Sequence, residues 1–141
     1  MIRAVIDTNV LFEGLTNSKG ACQLILEAWQ AELFAPCISL ALYYEYHDVL
    51  SRKLSKRGWK HIQPAFETLI ASSTLVEPYY QWRPSSSDPA DEFLVDCALN
   101  AKAWIVTRNV RDFLIAKYEF GLIVLTPEEF ILEVVNADED G

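Results

Sequence analysis

Positive charge, histidine, glycine and long apolar runs are all scarce in this chain. Its 12 Lys and Arg face 20 Asp and Glu, a formal net charge of −8 over 141 residues. Affinity for phosphate backbones comes mainly from Lys and Arg, so this balance excludes a general polyanion-binding module. It does not exclude an enzyme that reaches phosphates through a bound cation, or a protein with a basic partner. His47 and His61 are the only histidines, too few for a His-rich zinc site. Cys22, Cys37 and Cys97 form no CxxC pair; three reduced, buried thiols in a cytoplasmic protein are expected. No apolar run approaches the roughly 20 residues that span a bilayer, so no membrane segment is expected. The stretch 1–6 is too short for the apolar core of a signal peptide. GxSxG, a Gly-rich phosphate loop and a DxD pair after the first apolar run are all absent. That weakens the case for an α/β hydrolase or a metal-dependent phosphatase.

What is present describes one globular domain: 51% apolar and 23% charged residues. We expect it to occupy 1–137, with the acidic tail 138–141 frayed. Five short apolar runs, at 2–6, 33–37, 74–76, 104–106 and 122–125, read as strands. Alternation in them is weak, as in strands covered on both faces. Pro36 argues that the second run ends there or lies at an edge. Between the runs the period turns helical. Cys22, Ile25, Leu26 and Trp29 form one stripe; Leu42, Tyr46, Val49 and Leu50 form another. Further stripes are Ile62, Phe66, Leu69 and Ile70, and Leu94, Val95, Ala98 and Leu99. Thr126, Pro127 and Glu129 read as the N-cap, first residue and reciprocal cap of a last helix. The serines at 85–87, between Pro84 and Pro89, read as an exposed loop. Alternating strands and helices imply a mainly parallel sheet between helical layers, an α/β/α sandwich. Ligands then bind beyond the carboxyl ends of the strands, near a topological switch point.

Acidic residues gather where that rule points. Asp7 follows the first strand directly; alone, it is equally well a turn residue with Thr8 and Asn9. Glu45 points along the apolar stripe of its helix, where a carboxylate must be paired, protonated or cation-bound. A Glu at the stripe's edge reaching solvent or an Arg is the bland alternative. Asp88 and Asp91 open the next helix, and capping alone accounts for both. Asp91 is the better candidate for the site, sharing the side of Leu94, Val95 and Ala98. Asp96 falls off that face and reads as solvated. Thr107 to Asp112 emerges from the fourth strand; there Asn109 and Asp112 are spaced for a capping box. If the first and fourth strands are neighbours, three or four carboxylates converge. Such a density of like charge requires protons or metal. Oxygen ligands with so little His and Cys favour Mg²⁺ or Mn²⁺, and such a site suits phosphodiester hydrolysis.

The pieces Val5-Ile6-Asp7-Thr8-Asn9-Val10, Leu42-Tyr43-Tyr44-Glu45 with Val49-Leu50-Ser51-Arg52, Asp88-Pro89-Ala90-Asp91, Thr107-Arg108-Asn109 with Asp112-Phe113, and Leu125-Thr126-Pro127-Glu128-Glu129-Phe130 together resemble the PIN-domain family. The likeness is to its bacterial VapC-like ribonuclease branch, toxins of toxin–antitoxin pairs. The resemblance implies a three-layer α/β/α fold and a metal-dependent endoribonuclease, with RNA as substrate, a cognate antitoxin and a homodimer. It assigns Asp7, Glu45, Asp91 and Asp112 as metal-holding, catalytic acids. Asn109 stands where many members carry an acid and becomes a polar support, alongside Thr8, Asn9 and Thr107. Arg108 and Arg111 become RNA contacts, with salt bridges to surface acids as the alternative. Arg52, Lys53, Lys56, Arg57 and Lys60 form a basic cluster. Arg52 and Lys56 are candidate RNA contacts within it, and a solvated helix end complementing the dipole is the plainer account. Trp59 and the aromatics of 79–82 are candidates for base stacking or packing. A non-catalytic PIN-like RNA- or protein-interaction module is the competing reading.

Overall fold

The structure, a computed structural model, describes residues 1–77 and 89–140. Asp88, the serine run 85–87 and the segment 79–82 lie outside the described residues. In chain order the elements are β1 (Arg3–Ile6), α1 (Thr8–Thr16), α2 (Ala21–Gln30), β2 (Ala35–Ile38), α3 (Leu40–Lys53), α4 (Lys56–Ala71) and β3 (Thr74–Leu75). Then follow α5 (Pro89–Ala101), β4 (Trp104–Val106), a 3₁₀ turn (Val110–Phe113), α6 (Leu114–Tyr118), β5 (Val124–Leu125) and α7 (Pro127–Asp140).

The strands form one sheet in the order β3-β2-β1-β4-β5, and every pairing is parallel. The chain builds outward from β1 to β3, then returns to the other side of β1 for β4 and β5. The switch point therefore lies between β1 and β4. Ala4, Val5 and Ile6 are buried on both faces of the sheet, which explains the weak alternation of their sequence. Pro36 sits inside β2 opposite Ala4, not at an edge. The Ala35 amide donates to the Ile2 carbonyl, and pairing with β3 begins only at Cys37. The amide that Pro36 lacks would thus face a stretch with no neighbouring strand.

Aromatic contacts join the layers. Phe34 meets Trp29 and Phe130 edge-on at centroid distances of 6.2 and 5.0 Å, and Trp104 meets Phe130 at 6.4 Å. The Trp29 indole donates to the Leu69 carbonyl at 2.9 Å, tying α2 to α4. The capping box at the start of α7 forms as expected: the Thr126 amide donates to Glu129 Oε1 at 2.9 Å, and the Glu129 amide to Thr126 Oγ1 at 3.2 Å. Asp138 and Glu139 continue that helix. The cysteines are buried and none is in a disulfide. Burial pushes the thiols of Cys22 and Cys97 up to about 12, which keeps them un-ionised.

Three further expectations change. Asp7 caps a full helix, α1, rather than a turn. Val10, Leu11 and Gly14 of that helix are buried, and Gly14 lies so close to α2 that a Cβ there would meet the Cys22 carbonyl oxygen at 2.8 Å. Helix α4 begins at Lys56, because the Ser55 hydroxyl caps it by accepting from the Gly58 amide at 3.0 Å. Lys56, Arg57 and Lys60 consequently lie at its N-terminal end, where they oppose the dipole; only Arg52 and Lys53, in the last turn of α3, complement one. Finally, Asp96 is buried rather than solvated, as is Glu92. Helix α5 lies across β1, β2 and β4 and also packs on α3, so both flanks of its apolar stripe are covered.

Candidate active site

The β1–β4 pairing runs one residue past β1, and the β4–β5 pairing one residue past β4. The Asp7 amide donates to the Val106 carbonyl at 2.9 Å, and the Thr107 amide donates to Leu125 at 2.9 Å. This brings the side chains of Asp7 and Thr107 together at the switch point. The Thr107 hydroxyl, wholly buried, donates to Asp7 Oδ2 at 2.6 Å and accepts from the Asn109 amide at 2.9 Å. One hydroxyl is thereby fixed by a backbone donor on one side and a carboxylate on the other. Burial raises the Asp7 carboxyl above the ordinary aspartate range. The Thr107 hydroxyl and the amides of Thr8 and Asn9 oppose that rise, and the charge of Asp112 adds to it. A charge disfavoured by burial, oriented by the Thr107 hydroxyl and favoured by the nearby amides, is poised for a counter-cation.

Asp7, Thr8, Asn9, Glu45, Val49, Lys53, Asp91 and Leu94 line a cleft of about 120 Å³. Three of the expected acids thus share one space, delivered by β1, α3 and the first turn of α5. Glu45 is half-buried, and its neighbour Tyr46 sets its position. The buried Tyr46 phenol donates a short hydrogen bond to the Ile6 carbonyl, locking α3 to the last residue of β1. Asp91 sits where the helix dipole favours negative charge. The donor set is all oxygen and fits a hard divalent cation. Among the described residues no three His, Cys, Asp or Glu side chains are already closed around one point, so the acids share the cleft without forming a finished ligand cage.

Asp112 is placed differently. It is exposed, belongs to the 3₁₀ turn after β4, and does not line the cleft. It is felt at the site through its charge on Asp7. The capping box expected there does not form. Asn109 makes no side-chain cap bond; its carbonyl accepts from the Asp112 amide at 2.9 Å, as in a tight turn. Asn109 serves the site with its backbone amide. Arg108 turns away, donating to Glu13 at 2.7 Å and Glu128 at 3.0 Å. Arg52 pairs with Asp48 at 3.4 Å, while Arg111 and Lys56 are exposed.

Sequence reasoning read Tyr46 as core and Lys53 as one of a basic cluster, and placed neither at the cleft. Glu45, Val49 and Lys53 are spaced by four, one helical row, and that spacing was the available signal for Lys53.

A family model described as PIN domain matches residues 3–111. The chain belongs to the PIN-domain family. The matched span of this PIN domain takes in Asp7, Glu45, Asp91 and Thr107 and stops one residue before Asp112. Its fold is similar to that of DNA-bound VapBC from Salmonella typhimurium, with a TM-score of 0.65 at 16% identity over 90% of this chain and 99% of that one. VapBC2 from Rickettsia felis, bound to a promoter DNA fragment, gives 0.63 at 14% identity, over 89% of this chain and 98% of that one. PAE2754 from Pyrobaculum aerophilum gives 0.67 at 12% identity, over 96% of this chain and 90% of that one. No curated protein sequence matches. Among the described residues no helix is long and apolar enough to cross a membrane.

Proposed function

We propose that this PIN domain is a metal-dependent endoribonuclease, the toxin of a toxin–antitoxin pair. The observation that carries the reading is the cleft shared by Asp7, Glu45 and Asp91 at the carboxyl end of β1, with Asp7 buried and held by Thr107. Asp7, Glu45 and Asp91 would hold Mg²⁺ or Mn²⁺, with Asp112 contributing charge from outside the cleft. A bound cation of this kind supplies Lewis-acid stabilisation of a phosphodiester and a water of lowered pKa. The chain's own residues do the rest. Thr107 fixes Asp7 in orientation and, with the amides of Thr8 and Asn9, favours its charged form against burial. Glu45, on the helix that Tyr46 anchors to β1, would hold the ion directly or through a water. Arg111 and Lys56 are exposed cations available to RNA; Arg52 would first have to leave Asp48, and Arg108 Glu13 and Glu128.

A protein partner is part of the reading. A groove of about 400 Å³ lies between α3, α4 and the edge strand β3, lined by Ile38, Leu40, Tyr43, Ile70 and Leu75 among others. Leu40 and Leu75 are largely exposed there. Such apolar surface suits an antitoxin or a second copy of the chain, and the place of action would be the cytoplasm.

The test is cleavage of single-stranded RNA by purified wild type, Asp7→Ala and Asp91→Ala, with and without Mn²⁺. Cleavage that needs Mn²⁺ and drops by a hundredfold or more in both variants, with folding intact by circular dichroism, is the expected result. Undiminished cleavage in Asp7→Ala would sink the assignment. Absence of both metal affinity and cleavage in the wild type would favour the interaction module.

A further inference from the structure

Lys53 has no role in the chemistry described so far, yet it lines the same cleft as the three acids. It closes α3, two turns beyond Glu45 on the same helical row. Its ammonium donates to Asn9 Oδ1 at 3.2 Å and stands 5.2 Å from the centroid of the Phe12 ring. Asn9 lies beside Asp7 at the start of α1. The cation is therefore fastened to the rim of the carboxylate cleft, and both partners that fasten it are neutral.

Those partners decide what the charge is for. A lysine placed to neutralise acids ends on a carboxylate, as Arg108 does on Glu13 and Glu128. Lys53 ends instead on an amide oxygen and a ring face. An ammonium has three donors, and the amide uses one. The partners position the group without consuming its charge, so exchange for an anionic oxygen is favourable. The anion that must come to this cleft, on the nuclease reading, is a phosphodiester.

We infer that Lys53 is a substrate-contacting residue that grips a phosphate oxygen of the RNA at the mouth of the carboxylate cleft. The inference rests on the nuclease reading and adds to it a direct cationic contact within an otherwise acidic site. Asn9 and Phe12 hold the ammonium in place before RNA arrives, which reduces the ordering that binding requires.

The experiment compares wild type, Lys53→Met and Lys53→Arg. Binding of a labelled single-stranded RNA oligonucleotide is measured in Ca²⁺ over a salt series, and Mn²⁺-induced thermal shift is measured without RNA. Loss of one charge-assisted hydrogen bond predicts binding about tenfold weaker in Lys53→Met. Loss of one phosphate contact predicts a salt slope shallower by about 0.7. Lys53→Arg should keep most of the affinity and the slope, and the Mn²⁺ shift should match wild type in both variants. Wild-type affinity and slope in Lys53→Met would overturn the inference and leave the nuclease reading standing. A changed Mn²⁺ shift with an unchanged salt slope would make Lys53 a counter-ion of the acids instead. A wild type that binds no RNA would overturn both readings.

Discussion

Replacing Thr107 with valine removes one hydroxyl and almost nothing else, since the two side chains have nearly the same shape. In the folded protein that hydroxyl is wholly buried and makes two bonds, to Asp7 Oδ2 at 2.6 Å and from the Asn109 amide at 2.9 Å. A hydrogen bond to a charged group contributes about 1.5–3 kcal/mol, and the stranded Asn109 amide, near solvent, adds only a few tenths. Thr107→Val should therefore lose about 2–3 kcal/mol at neutral pH, a fall of about 1 M or more in the urea midpoint. The assay is urea unfolding in chelator-treated buffer, repeated from neutral to acid pH. The hydroxyl lowers the Asp7 pKa, so its contribution is present while Asp7 is ionised and shrinks as pH falls through the folded pKa. The gap between the two proteins should narrow toward acid. A neutral-pH difference below about 0.5 kcal/mol, or a gap independent of pH, would refute the claim that this hydroxyl sustains a buried carboxylate.

Asp7→Asn should be more stable than wild type at neutral pH in metal-free buffer, as read by thermal unfolding. Burial raises the folded Asp7 pKa above its unfolded value, so wild type loses stability as pH rises through the folded pKa. The advantage of the amide should vanish once both proteins are uncharged at that position in acid. Gly14→Ala should destabilise by about 1–3 kcal/mol through overpacking, because its Cβ would meet the Cys22 carbonyl oxygen and the Leu26 side chain at 2.8 Å. Denaturant unfolding checks this, and a stability within error of wild type would show that α1 and α2 can part at little cost.

The layered fold was legible in the sequence because both of its periods are. Doubly buried strands read as short apolar runs, and the stripes of α2, α3, α4 and α5 keep helical spacing. Helix α1 escaped because Asp7, Thr8 and Asn9 are turn formers in isolation, and only burial of Val10 and Leu11 against the rest of the fold makes the segment helical. Of the acids, Asp7, Glu45 and Asp91 were recognisable by position relative to predicted elements, and they share the cleft. Asp96 was misread because helical phase says which side faces the sheet and nothing of the α3 packing beside it. Asp112 and Asn109 depended on the path of a short turn, which spacing alone does not specify. Lys53 was grouped with its neighbours in sequence, although its neighbours in space lie across the cleft.

The bond from Thr107 to Asp7 spans 100 residues of chain. Asp7 is made 100 residues before Thr107. No N-terminal fragment ending short of Thr107 can hold the Asp7 carboxylate as the whole protein does, and β4, the strand on which β1 depends on that side, arrives just before it. Synthesis therefore acts as a timer: the acid after β1 waits, unset, until the 100 residues that follow it, ending at Thr107, exist. A chain that terminates before Thr107 would carry Asp7 without the bond that orients it.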